Sequence, residues 1–194
     1  MNPMNIILAV ALIINSLGLI GTPLLQKPAT STKPGIQVNA SFDKKKNVTK
    51  LFLQPLQLWV NRNPDQVEQV RLFVGFECPG TKIVTPKEVT FTFSATSQNF
   101  VSFPSLKFSV LLDGTLLELG NLKGNQRKQI NSPKSSTVYD DESISISYED
   151  FTRIATANSV TIIVGKRKFD LPTGAIRLLR EFQKLMEREG QEIQ

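Results

Sequence analysis

From about Ile36 onward, apolar residues recur at every second position in a series of short runs, and this period of two is what most constrains the fold. Successive side chains of a strand point to opposite faces, so alternation of this kind buries one face and wets the other. Val89, Phe91, Phe93 and Ala95 alternate with Thr90, Thr92 and Ser94. Val70, Leu72, Val74, Phe76 and Cys78 form a second such row, ended by Pro79-Gly80. Leu51 and Leu53 precede Pro55. Leu56, Leu58 and Val60 then alternate with Gln57, Trp59 and Asn61, which predicts Trp59 on the polar face. Leu106, Phe108, Val110 and Leu112 lead into Asp113-Gly114, a pair that tolerates positive φ at both central positions of a two-residue hairpin turn.

Two stretches carry a helical period instead. Ser147 stands three residues before Asp150, close to a capping box, and predicts a short helix over residues 148–157 burying Phe151, Ile154 and Ala155. After a hairpin built from Val160, Ile162, Val164, the basic turn Gly165–Lys168, Phe169 and Leu171, a second helix is expected over residues 173–188, capped by Thr173. Its Ala175, Leu178, Leu179, Phe182, Leu185 and Met186 share one side, opposite Arg177, Arg180, Lys184 and Arg188. Residues 121–136 are polar throughout and predict a long loop with Lys123, Arg127, Lys128 and Lys134. Asp140, Asp141 and Glu142 predict a solvated turn, since they lack the spacing of a calcium loop. The expected architecture is mainly β: a two-sheet antiparallel sandwich, Ig-like or jelly-roll-like, with one short helix and one C-terminal helix.

The N-terminal end reads differently. Ile6 to Ile20 is uncharged, with only Asn15 and Ser16 as polar residues, a length suited to a signal-peptide apolar region or a marginal membrane anchor. Residues 1–21 are therefore expected to be a signal peptide or anchor, residues 22–35 a Pro/Thr/Ser linker, and residues 36–194 the sandwich domain. No basic residue precedes the apolar run, and Lys27, Lys33, Lys44, Lys45, Lys46 and Lys50 follow it, so cleavage and orientation stay open. The formal charge of +6 is concentrated here: residues 22–50 carry +5 and residues 51–194 only +1. A general nucleic-acid-binding surface needs basic residues spread over the fold, so no nucleic-acid partner is expected.

Histidine is absent, which excludes His-based acid–base chemistry, Ser-His-Asp and Cys-His nucleophilic sites and most transition-metal sites. Cys78 is the one cysteine, so no intrachain disulfide forms, and no histidine stands by to activate it. No cofactor is expected. The residues singled out for ligand or membrane contact are Lys44, Lys45 and Lys46, which read as a hairpin turn or a patch for an anionic leaflet, and Trp59, which reads as partly buried core or a stacking platform for sugar or peptide.

The elements Ile144-Ser145-Ile146, Tyr148-Glu149-Asp150-Phe151, Ile154–Ala157, Val160-Thr161-Ile162, Gly165 and Phe169-Asp170-Leu171, followed by the helix with Leu179-Arg180, resemble a pattern in uncharacterised exported bacterial proteins. The Leu112-Asp113-Gly114 hairpin resembles the same set. About half the chain is covered, mostly by packing residues. The resemblance implies a β-sandwich with C-terminal helical elements and carries over no catalytic residue. The expected function is a non-enzymatic, extracytoplasmic envelope protein, exported or anchored by its N-terminal segment, that binds a protein or a cell-surface polysaccharide. A carboxylate-dependent glycan hydrolase and an inner-leaflet membrane scaffold are the alternatives.

Overall fold

The computed structural model describes residues 38–61, 68–97, 106–132 and 135–193. The expected leader (1–21) and linker (22–35), together with Lys134, lie outside them. The chain order is β1 (Val38–Asp43), β2 (Val48–Leu53), β3 (Leu56–Asn61), β4 (Glu68–Pro79), β5 (Glu88–Ser97), β6 (Lys107–Leu112), β7 (Thr115–Asn121), β8 (Lys123–Ser132), β9 (Ser135–Ser147), α1 (Tyr148–Thr156), β10 (Val160–Val164), β11 (Arg167–Asp170) and α2 (Thr173–Met186).

The strands form two antiparallel sheets, as the alternation predicts. The larger runs β1-β2-β4-β5-β9-β8, with β3 also paired to β4, and the smaller runs β11-β10-β6-β7. β2 and β3 lie end to end along one edge of the twelve-residue β4. Phe52 opposes Gly75 and Leu56 opposes Leu72, so the partner strand gains one residue across Gln54-Pro55. Proline donates no ladder hydrogen bond, and this break is where the chain tolerates one.

The alternating rows bury as their pattern requires. Val70, Leu72, Val74, Phe76 and Cys78 of β4 and Val89, Phe91, Phe93 and Ala95 of β5 all enter one continuous core. A chain of rings crosses that core and ties both sheets to both helices. Phe93 and Phe91 of β5 meet Phe108 of β6 at 5.4 and 5.9 Å between centroids. Phe91 meets Phe151 of α1 at 6.2 Å, Phe151 meets Phe182 of α2 at 6.4 Å, and Phe182 meets Phe76 of β4 at 5.5 Å. Tilted and edge-on pairs at these spacings are the arrangements ring quadrupoles favour. The smaller sheet thus covers one part of the larger sheet's inner face, and the two helices cover another.

The Asp113-Gly114 turn is as expected, with φ of 48° and 88° and Leu112 opposite Thr115. Helix α1 also follows its pattern: the Ser147 hydroxyl accepts from the Asp150 N–H at 3.0 Å, and Phe151, Ile154 and Ala155 are buried. Four expectations are corrected. Residues 121–136 are not a loop, because β8 and the start of β9 occupy them as a hairpin at the sheet edge. Polar and basic residues suit an edge strand, whose open ladder would otherwise invite another strand, and they hide the apolar alternation by which strands are recognised. Asp140–Glu142 is not a turn but the middle of β9, with Asp140 and Glu142 on the inward face. Thr173 does not cap α2: Pro172 holds the N-cap position without a side-chain hydrogen bond, and Thr173 is the first helical residue. The basic turn shrinks to Gly165-Lys166, because Arg167 and Lys168 already belong to β11.

Candidate functional site

Trp59 is placed by a β-bulge. Gln57 opposes Arg71, but Trp59 opposes Val70, so Leu58 is an extra residue in β3. The bulge reverses the alternation from that point. Val60, expected inward, is exposed, and Trp59, expected on the polar outer face, shares the inward face with Val70. The amide of Gln57 braces the irregularity, donating to the carbonyls of Trp59 at 2.6 Å and Val70 at 2.9 Å. Gln69 in turn donates to the Gln57 side-chain oxygen at 2.7 Å. Bulges commonly re-aim a side chain in this way.

Although it faces inward, Trp59 stays 39% exposed. It stands where β3 approaches β11, beside a shallow depression with room for about one water molecule, lined by Trp59, Gln69, Val70, Ala95, Thr96, Ser97 and Arg167. Arg167 comes from the smaller sheet, two residues before the buried Phe169 and so on the same face of β11. The inner faces of the two sheets therefore meet across this depression, one contributing an indole and the other a guanidinium. One strand beyond the lining, Asp140 opposes Ala95, and Glu142 opposes Phe93. These two carboxylates are 6% and 2% exposed. Residues two apart on a strand have Cα atoms about 7 Å apart.

The lysine trio lies elsewhere. Lys44, Lys45 and Lys46 form the exposed turn between β1 and β2, where Asp43 accepts from the Lys45 and Lys46 N–H groups at 3.0 and 3.2 Å. Asn47 takes a φ of 52° to close it, and its carbonyl accepts from the Gly80 N–H at 2.8 Å. Val48 opposes Pro79 while Trp59 opposes Val70, so the two candidates sit at opposite ends of β4, roughly 30 Å apart at the rise of an extended strand. They do not form one site.

Two other polar groups belong to the scaffold. The Asp113 carboxylate accepts from the Asn158 N–H at 3.1 Å and from the Ser159 N–H at 2.8 Å, and the Ser159 hydroxyl bonds it at 3.2 Å. These donors, the Asn158 N–H foremost, hold its pKa below the usual carboxylate value and clasp the β6–β7 hairpin to the segment after α1. Cys78 is fully buried, its sulfur 3.4 Å from the Val84 N–H and 3.5 Å from the Val84 carbonyl. Burial pushes its thiol pKa up, the reverse of what a reactive cysteine needs.

Sequence reasoning named Trp59 but gave it the wrong face, since alternation presumes an unbroken register. It did not name Ser97 or Arg167. Gln57, one residue before the bulge, carries no local signal of its bracing role. The whole defines a mainly β, two-sheet protein with two helices. Comparison with known proteins returned nothing: no family model, no curated protein and no solved structure matches this chain. Among the described residues no group of His, Cys, Asp and Glu suits a metal ion, and no helix is long and apolar enough to cross a membrane.

Proposed function

We propose that this chain is an envelope protein, one of the exported bacterial β-sandwich proteins its sequence resembles, and that its sandwich binds a protein or a cell-surface polymer rather than transforming it. The observation that carries the reading is Trp59, an indole turned by a braced bulge to the inward face of β3 and still 39% exposed. Burying a whole aromatic side chain contributes about 1.5–3 kcal/mol, so a half-open indole forgoes stability that a partner can recover. The uncharged Ile6–Ile20 run supports a location outside the cytoplasm, cleaved or anchored. Fractionation with protease accessibility tests the location: full-length protein found soluble in the cytoplasm contradicts it. Retention on the insoluble envelope fraction tests the binding: Trp59→Ala is expected to release the protein, and equal retention of both forms contradicts the role of Trp59.

A second reading has one observation in its favour. Asp140 and Glu142 are two inward carboxylates on one strand, adjacent to the residues that line the depression. Glycosidases work with paired acids, about 5–5.5 Å apart in retaining enzymes and about 6.5–9.5 Å apart in inverting ones. This reading predicts release of reducing sugar from envelope glycans, abolished in Asp140→Asn and Glu142→Gln. Wild-type protein without such activity counts against it.

A further inference from the structure

We propose that two copies of this chain join edge to edge through β7, paired antiparallel about a twofold axis at Leu117, so that the four-stranded sheet of one copy runs on into that of the other. β7 and β11 are opposite edges of that sheet, so the junction leaves Trp59, beside β11, free for the binding reading above.

An open strand edge is a template for another strand, and proteins guard it with charge, bulges or brevity. The other open edges among the described residues carry such guards. β8 holds Lys123, Arg127 and Lys128, β11 is four residues long with Arg167, Lys168 and Asp170, β3 is bulged at Leu58, and β1 alternates Asn39, Ser41 and Asp43 with its apolar residues. β7 has no such guard over Thr115–Glu118. Leu116 is 52% exposed, Leu117 is half-buried, and the one charge, Glu118, is already engaged by Lys107 of its own sheet at 2.6 Å. The bulge at Leu119 begins only beyond this stretch.

The backbone decides what this edge takes. Asp113-Gly114 is a two-residue turn, so the flanking Leu112–Thr115 pair is hydrogen-bonded and the pairs alternate from there. Leu116 and Glu118 therefore fall at positions whose N–H and C=O groups point away from β6. In an antiparallel pairing centred on Leu117, Leu116 of each copy meets Glu118 of the other, for about four hydrogen bonds in all. Leu117 meets its own counterpart at a non-hydrogen-bonded position, with Cα atoms about 4.5 Å apart. It shares the inward face with the buried Val110, so the two half-buried leucines cover each other where the cores adjoin. Centring the pairing on Glu118 sets like charges against each other. Centring it on Leu116 carries Glu118 out to the Gly114 turn and forfeits a bonded pair. The side chains thus match this strand to itself, which singles out a second copy over an unrelated segment.

The test uses the full chain. Sedimentation equilibrium from about 1 to 500 μM is expected to show monomer and dimer in exchange, with a midpoint of about 100 μM or tighter, weak as suits a small contact. Leu116→Glu sets a carboxylate against Glu118 of the other copy, and the twofold axis applies the repulsion twice, so the dimer is expected to weaken about tenfold or more. Leu116→Lys meets the same Glu118 with the opposite charge and is expected to keep the dimer. Leu116 is exposed, so both variants stay folded, as circular dichroism checks. Under mild oxidation Leu117→Cys is expected to give a reducible dimer, because the Cα separation lies within the roughly 4.4–6.8 Å a disulfide spans. Lys168→Cys on the β11 edge is expected to give none, and Cys78 is buried and takes no part. A monomer throughout the range overturns the proposal. A dimer that survives Leu116→Glu and is not cross-linked by Leu117→Cys is joined elsewhere and also overturns it. Equal loss of the dimer in Leu116→Glu and Leu116→Lys overturns the paired register.

Discussion

Replacing Phe108 by alanine tests how the two sheets are joined. Phe108 is fully buried on β6 and touches Phe91 and Phe93 of the larger sheet, with centroids 5.9 and 5.4 Å away. Truncating a buried phenylalanine costs about 3–5 kcal/mol through lost transfer energy and the cavity left behind. Phe108 belongs near the upper end, because two ring contacts of about 0.5–1.5 kcal/mol each vanish together and both neighbours sit on one strand that cannot collapse into the gap without moving its ladder. We expect a loss of about 4 kcal/mol. With a urea m-value of about 2 kcal/mol/M, the midpoint falls by about 2 M. The assay is urea unfolding followed by circular dichroism and by Trp59 emission, which should shift together in a two-state protein. Phe42→Ala is the control: Phe42 is half-buried on the edge strand β1, and its truncation is expected to cost clearly less. Phe108→Leu keeps the variant measurable if alanine prevents folding. A loss below about 1 kcal/mol for Phe108→Ala would refute the reasoning, because it would mean the smaller sheet is not held through this ring.

Other perturbations follow from single contacts. Gly75→Ala is expected to cost about 1–3 kcal/mol in the same assay, because a Cβ there would lie 2.5 Å from the Phe52 ring and 2.7 Å from the Leu51 carbonyl oxygen. Adding Phe52→Ala should restore only part of it, since the carbonyl remains. Asp113→Asn is expected to lower the melting temperature at pH 7. The folded-state pKa of Asp113 lies below its unfolded value, so its contribution is present above the unfolded pKa, near 3.9, and is lost as pH falls through the folded pKa. The two melting curves should therefore converge in acid, and a difference that persists there contradicts the clasp. Cys78 should resist thiol reagents in the native protein and react at the rate of unfolding, because it is buried and its pKa is raised. Labelling within seconds in native buffer contradicts its placement.

The parts of the fold legible in the sequence are those where burial follows an unbroken period. β4, β5, β6 and β10 present every second residue to the core, and α1 announces itself through Ser147 and its apolar stripe. On α2 the stripe was legible in outline: Ala175, Leu179, Phe182 and Met186 are buried, Leu178 and Leu185 flank the core, and Ile176 and Gln183 join the buried side. Two kinds of feature escape such reading. β8 carries no apolar alternation because it is an edge strand, and β9 turns Asp140 and Glu142 inward where the pattern leads one to expect apolar residues. The bulge at Leu58 lies beyond any pattern that assumes one residue per pleat, and it decides the face of Trp59. For the candidate site, the sequence supplied the tryptophan, while its neighbours Ser97 and Arg167 come together only through the pairing of β3, β4 and β5 and the approach of β11.

The central claim is that the proposed ligand is met at Trp59, beside β11. A ¹⁵N-labelled sample titrated with solubilised envelope extract tests it most directly. The single indole N–H signal, which belongs to Trp59 by composition, and the backbone amides of Ser97 and Arg167 should shift in a saturable way, while the amides of Lys44, Lys45 and Lys46 at the far end of β4 hold still. An indole signal that stays fixed, or shifts gathered at the lysine turn instead, would contradict the account.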